Sequence, residues 1–175
     1  MNRTMSMDRT GVSIRFIIVS AIAGMVAGLI MGMYAMVASA IFLGQGFFTP
    51  LYGIASPLIG GEAMMMSMQQ GVYFTLGPAL LGLAVHMMWA ALYGVIFGQI
   101  VRAARLSGGG AVIGGVIYGL IVMLFMSFVV LPIVGAGGMP GMVGWPSFTV
   151  EHLIFFGLVL GLWPVVRPKD LAPAQ

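Results

Sequence analysis

Charged residues divide this chain into long runs that are almost free of charge, and this division most limits how the chain can fold. Within residues 16–101 the only formally charged side chain is that of Glu62, and within 106–166 it is that of Glu151. A bilayer core about 30 Å thick needs around 20 apolar residues for each crossing helix. Four transmembrane helices are therefore predicted, over residues 16–43, 72–101, 111–135 and 148–166.

Composition supports a membrane protein. Hydrophobic residues make up 61% of the chain and charged residues 6%, with a mean hydropathy of +1.11, whereas soluble domains are about 45 to 50% apolar and about 25% charged. The 175 residues leave no room for a separate soluble domain, so 1–175 is predicted to be a single all-α polytopic membrane domain. The first run exceeds the length of a signal-peptide core and is predicted to be retained. Cysteine is absent, which excludes disulfides and thiolate metal sites.

The positions of the basic residues predict the topology. The acids Glu62 and Glu151 are predicted on the side opposite to all seven basic residues. These basic residues are Arg3, Arg9, Arg15, Arg102, Arg105, Arg167 and Lys169. Because basic residues favour the cytoplasmic side, both termini and the central loop are predicted to be cytoplasmic. The pI near 9.7 then reflects topology and gives no sign of nucleic-acid binding.

Glycines at a spacing of four predict where the helices pack. In lipid, small residues allow close backbone approach, and van der Waals contact replaces the missing hydrophobic drive. The third helix offers two such pairs, Gly110 with Gly114 and Gly115 with Gly119. The alternative is that glycine is simply common in membrane helices, and the partner is either this chain or a second copy. The predicted packing positions are Gly24, Gly28, Gly32, Gly94, Gly98, Gly114, Gly157 and Gly161.

The first outer loop, residues 44–71, is apolar but broken by proline and glycine. A segment this short does not span a bilayer and is typical of a re-entrant or interfacial piece. A methionine-rich stretch follows, and thioether clusters can bind Cu(I). The alternative is a compositional bias, since the chain has 17 methionines. The candidate copper ligands are Met64, Met65, Met66 and Met68.

The chain also shows a weak internal repeat. Residues 12–105 and 108–168 each hold two predicted helices, so the halves have the same orientation and form a parallel repeat of hairpins. The second helix of each half carries one histidine, a Gly-x-x-x-Gly pair and a closing arginine. The registers conflict, however, because aligning the glycine pairs places His152 opposite Trp89.

His86, His152 and Glu151 form the most specific group of polar residues in the predicted membrane helices. His86 precedes Arg102 by 16 residues and His152 precedes Arg167 by 15, each roughly 23 Å along a helix. Both imidazoles are therefore predicted at similar depth, beside Glu151. Ionisable groups inside a membrane are often functional. Three roles are open for the pair: ligands of haem iron, copper or zinc, part of a path for protons or a small solute, or structural histidines. Glu151 is predicted to orient an imidazole or to accept a proton.

Two segments carry a family resemblance: HMMWAALYGVIFG, and LPIVGAGGMPGMVGWPSFTVEHLIFFGLVLGLWPVVRPKDL. They resemble the YagU-type family of bacterial inner-membrane proteins, which is grouped under a domain of unknown function. The resemblance rests on Pro132-x-x-Gly135, the Trp-Pro sequence before the last predicted helix, the positions of His86 and His152, and basic residues at the cytoplasmic end of that helix. It implies an inner-membrane topology and a pairing of the histidines, and it supplies no substrate. The methionine-rich loop at Met64 departs from the family pattern.

A non-enzymatic accessory or structural membrane subunit is the function that the sequence favours. Its predicted partners are the lipid bilayer and either a second copy or a larger membrane complex, and no cofactor is predicted. The first alternative is a small transporter or a protein that conducts protons or solutes. The second is a haem- or copper-binding membrane protein that uses His86 and His152.

Overall fold

The computed structural model describes residues 13–166, and all regular structure in that range is helical. Four helices are long and apolar enough to cross a membrane, namely α1, α4, α5 and α7. The predicted all-α fold with four transmembrane helices is therefore confirmed. The two termini, which the topology prediction places in the cytoplasm, lie outside the described residues. The helices are α1 (Ile14–Phe42), α2 (Thr49–Ile59), α3 (Glu62–Gln70), α4 (Leu76–Ala103), α5 (Gly108–Ile133), α6 (Met139–Val143) and α7 (Trp145–Val166).

The helix ends follow from local chemistry. The Ser13 side chain accepts a hydrogen bond from the Phe16 N–H (3.2 Å) and caps α1, because the first backbone donors of a helix lack internal partners. Pro78 is the third residue of α4, where its missing N–H costs no helical bond. It therefore marks the start of α4. The last helix begins at Trp145, three residues before the predicted run, so Glu151 is its seventh residue.

Large aliphatic side chains cover the outside of the bundle. Exposed examples occur along α1, α4 and α5, such as Ile18, Leu92 and Ile121. A soluble monomer rarely exposes contiguous apolar patches of more than a few hundred Å². This surface is suited to contact with lipid chains.

Two helix pairs pack with their backbones in contact. In the pair α1/α4, a Cβ atom added to Gly94 would lie 2.6 Å from the Gly24 Cα. In the pair α5/α7, a Cβ atom added to Gly115 would lie 2.6 Å from the Gly161 Cα. Only glycine permits approaches this close, so each pair is fixed by its glycines.

Side chains fill the space between the two pairs. The Tyr118 hydroxyl donates to the Tyr93 carbonyl (2.9 Å) and joins α5 to α4. The rings of Tyr34 and Phe155 stack with centroids 4.2 Å apart and join α1 to α7. The core between the pairs is thus aromatic, whereas the core within each pair consists of small residues.

Three short helices close the end of the bundle where α1 ends and α4 begins, which we call the capped end. Helix α2 packs along α4, where Gly82 leaves room for the Leu51 carbonyl. The hydroxyls of Thr49 and Ser67 are 2.8 Å apart in a buried hydrogen bond that ties α2 to α3. The apolar segment of the first loop is therefore a helix packed into the bundle.

Two of the long helices contain π-helical segments, Met126–Val130 in α5 and Glu151–Leu158 in α7. In both, a side chain donates to a carbonyl four residues earlier: the Ser127 hydroxyl to Met123 and the His152 Nδ1 to Phe148, each over 2.8 Å. Such bonds compete for the carbonyls of the α-helical ladder. π-helical turns are rare and occur frequently at functional sites.

Candidate functional site

A cavity of about 300 Å³ lies inside the bundle, next to the capped end. Its walls come from α1, α2, α4, α5, α6 and α7 and from the segment after α5. Most of the lining is apolar, and the proline-containing helix α2 forms one wall with Leu51 and Ile54. An apolar pocket with a few converging polar groups is the usual form of a small-molecule site.

The three polar residues singled out from the sequence line this one cavity. Glu151 and His152 are buried at the start of the π-helical segment of α7, and His86 is half-buried on α4. The structure therefore brings together His86, Glu151 and His152, which come from two distant stretches of the chain.

The Glu151 carboxyl group has an unsatisfied oxygen. The residue is 3% exposed, and its Oε2 has no hydrogen-bond partner within the described residues. Its Oε1 lies 3.8 Å from the His152 Nδ1, which is too far for a hydrogen bond. An unsatisfied buried polar group costs about 1–3 kcal/mol. Glu151 is therefore a poor structural element and a good candidate for binding.

Both imidazoles are held by backbone carbonyls. The His86 Nε2 is 2.8 Å from the Gly28 carbonyl oxygen, and the His152 Nδ1 is 2.8 Å from that of Phe148. Because a carbonyl only accepts, both of these nitrogens carry the hydrogen. The second ring nitrogen of each, Nδ1 of His86 and Nε2 of His152, is left to accept a proton or a hydrogen bond.

The predicted packing glycines have different neighbours. Gly24 and Gly94 contact each other, Gly28 lies against Ala90, and Gly98 lies against Ser20. A Cβ atom on Gly32 would be 3.3 Å from the His86 Nε2, so Gly32 makes room for the imidazole. The remaining contacts join Gly157 to Gly119 and Gly161 to Gly115, whereas Gly114 faces Leu106.

The candidate copper ligands Met64, Met65, Met66 and Met68 all lie on α3, and the copper site stays a prediction. Met64 and Met68 are four residues apart and share a helix face, while Met65 is 57% exposed. The Met66 sulfur is 4.0 Å from the Gln70 side-chain nitrogen. Helical spacing thus directs the four thioethers in several directions. Within residues 13–166 no group of three or more His, Cys, Asp or Glu side chains is arranged to hold a metal ion.

Sequence reasoning missed the cavity walls. Trp89 of α4, Met126 of α5 and Phe148 of α7 all line the space around the polar groups. Nothing in an apolar run distinguishes an inward aromatic from one that faces lipid. The one usable signal is spacing, since Trp89 follows His86 by three residues and is therefore a neighbour on the same helix face.

The π-helical segment of α7 accounts for a one-residue difference in how far each histidine precedes its contact glycine. Gly94 follows His86 by eight residues, whereas Gly161 follows His152 by nine. Residues Glu151–Leu158 form the π-helical segment, whose turns each hold about one residue more than α-helical turns. The extra residue is absorbed there, so each histidine keeps nearly the same rotation relative to its contact glycine. The internal repeat itself stays a prediction.

Comparison of the chain with protein-family models, curated proteins and solved structures finds no match. The resemblance to the YagU-type family therefore stays a prediction.

Proposed function

We propose that this chain is a small transporter of the bacterial inner membrane that binds a solute in the cavity and moves it, or a proton, across the bilayer. One observation carries the proposal: His86, Glu151 and His152 converge on a cavity of about 300 Å³ inside an otherwise apolar bundle. Ionisable side chains within a membrane typically mark substrate or proton pathways.

The cavity favours transport over a purely structural role. A packing subunit gains stability from filled space, and unfilled volume destabilises a core. An unsatisfied carboxyl group adds a further cost. Retention of both features is expected of a binding site. The groups in the cavity, two imidazoles and one carboxyl, can exchange protons and form hydrogen bonds with a bound solute.

The topology proposed with this function places the capped end outside the cytoplasm. Arg102 and Arg105 lie at the opposite end, where α4 passes into α5, while Glu62 lies at the capped end. The Arg102 guanidinium stacks over the Phe16 ring at 5.7 Å and is held near the start of α1. The positive-inside bias then makes that end cytoplasmic, and the cavity belongs to the outer half of the bilayer.

Thiol labelling tests the proposal. Because the chain has no cysteine, the label reacts only with the single cysteine introduced in each variant. We expect Ile54→Cys and Val130→Cys, which line the cavity, to react in intact cells with a small lipid-permeable thiosulfonate. Reaction requires the thiolate, which forms only where water has access.

Ile121→Cys is the matched control, since Ile121 is 55% exposed on the apolar outer surface of α5. We expect this thiol to stay unreactive in lipid. Unreactive cavity thiols in a protein that still labels after detergent denaturation would mean a dry cavity and would overturn the transport proposal.

A haem- or copper-binding role is the second candidate, favoured by one observation. The His152 Nδ1 donates to a backbone carbonyl and leaves Nε2 free, which is the usual arrangement of a metal-ligating histidine. A Soret band or stoichiometric copper in the purified protein would support this role, provided that the His86→Ala variant loses the bound group. A colourless, metal-free protein would remove it.

A further inference from the structure

We propose that the cavity takes a small lipid-soluble ammonium ion, whose N–H group bonds the Glu151 Oε2 and which enters sideways from the bilayer. This inference rests on the proposed function, a solute cavity in the membrane, and adds the class of the solute. Four features of the cavity carry it: its size, its charge, its aromatic walls and its opening.

Size limits the ligand. The cavity measures about 300 Å³, at the lower end of the range for small-molecule pockets. A cavity of this size is suited to a small, compact ligand. The mostly apolar walls require that nearly all of this ligand be hydrocarbon.

Charge selects the head group. Glu151 is the only formally charged residue in the lining, and its Oε2 has no hydrogen-bond partner within the described residues. The hydrogen-bearing nitrogens of His86 and His152 already donate to carbonyls. An ammonium ion supplies a donor to Oε2 and balances the charge of the ionised carboxylate that it stabilises, and charge-assisted hydrogen bonds are the stronger class. An alcohol supplies the donor alone, and a carboxylate would be repelled.

Aromatic walls favour the same head group. Trp89 and Phe148 line the cavity together with Glu151, and the Phe148 ring lies 4.3 Å from the His152 ring, centroid to centroid. A cation within about 6 Å of an aromatic face is attracted by the negative potential of the ring. The walls thus stabilise a positive charge while they remain apolar.

The opening lies on the lipid side. Leu58, Met88 and Val134 line the cavity and are also 65%, 61% and 44% exposed. They belong to the end of α2, the middle of α4 and the segment after α5. An apolar opening at the level of Met88 faces acyl chains, so the ligand reaches the site from the bilayer.

The test uses three probes that share one hydrocarbon cage and differ in the head group: 1-adamantylamine, 1-adamantanol and 1-adamantanecarboxylate. Each is titrated at neutral pH into the full chain in nanodiscs, and binding is measured by calorimetry. Empty nanodiscs are the blank. We expect the amine to bind at least about tenfold more tightly than the alcohol, and the carboxylate not to bind. Glu151→Gln should lower amine affinity about tenfold or more and change alcohol affinity much less.

Two further variants serve as controls, one outside the cavity and one that fills it. Glu62→Gln alters the exposed acid of α3, outside the cavity, and should leave amine binding unchanged. Ile54→Trp fills the cavity and should weaken the amine and the alcohol alike. The melting temperature of each variant checks that it is folded.

Three results would overturn the ligand class: equal affinities for amine and alcohol, full amine affinity in folded Glu151→Gln, or no binding of any probe by the native protein. Thiol labelling at positions 54 and 130 separates this failure from that of the proposed function. Labelled thiols without amine binding refute the ammonium ligand alone, whereas unlabelled thiols refute the solute cavity itself.

Discussion

Replacement of Gly94 by alanine is expected to lower the free energy of unfolding by about 2 to 3 kcal/mol. The added methyl group would lie 2.6 Å from the Gly24 Cα. The obstructing atom belongs to a backbone inside a helix, which cannot rotate away as a side chain does. The helices α1 and α4 must therefore separate, and the dispersion contacts along their interface weaken together.

Gly110→Ala is the matched control for this substitution. Gly110 also lies in a membrane-length helix, α5, but no atom lies within 4 Å of the position its Cβ would take. There alanine should be neutral or stabilising by up to about 1 kcal/mol, through helix propensity. Unfolding in mixed micelles titrated with dodecyl sulfate measures both. Equal stabilities for the two variants would contradict the close backbone contact.

Replacement of Glu151 by methionine is expected to act in the opposite direction and to raise the free energy of unfolding by about 1 to 3 kcal/mol. Methionine is similar in length and unbranched, and it fits irregular apolar space. The substitution removes a carboxyl group that is 3% exposed and has an unsatisfied oxygen within the described residues. The same variant should lose amine binding, since stability and function commonly oppose each other at such sites.

Glu62→Met serves as the control, because the Glu62 side chain is exposed at the first turn of α3. A surface change of this kind shifts stability by within about 0.5 kcal/mol. The same micelle titration compares the two methionine variants. If Glu151→Met were destabilising, the carboxyl group would have a structural role, and the accessory-subunit interpretation would regain support.

The sequence predicts the long helices well, because the bilayer sets both their length and their apolar character. It also selects His86, Glu151 and His152, since ionisable groups are conspicuous in an apolar run. It fails where neighbouring residues in a run are chemically alike. Gly114 and Gly115 differ only in the face they occupy, and it is Gly115 that contacts α7.

The cavity itself could not be predicted from the sequence, because its walls depend on tertiary packing. The first loop is apolar and broken, yet nothing in its composition indicates that Leu51 packs against α4 or that Ile54 lines a cavity. The π-helical segment Glu151–Leu158 is similarly hidden. Its residues would form an ordinary α-helix by local preference alone, and the wider turns appear only when the helix docks.

The contrast between backbone contact within each helix pair and side-chain contact between the pairs has a mechanical consequence. The pairs α1/α4 and α5/α7 are each joined by glycines and will move as rigid bodies. Between them, ring contacts such as that of Tyr34 with Phe155 can slide or re-form at small cost. We expect any change in the width of the cavity to take the form of a rocking of one pair against the other, with the short turn between α4 and α5 as the hinge.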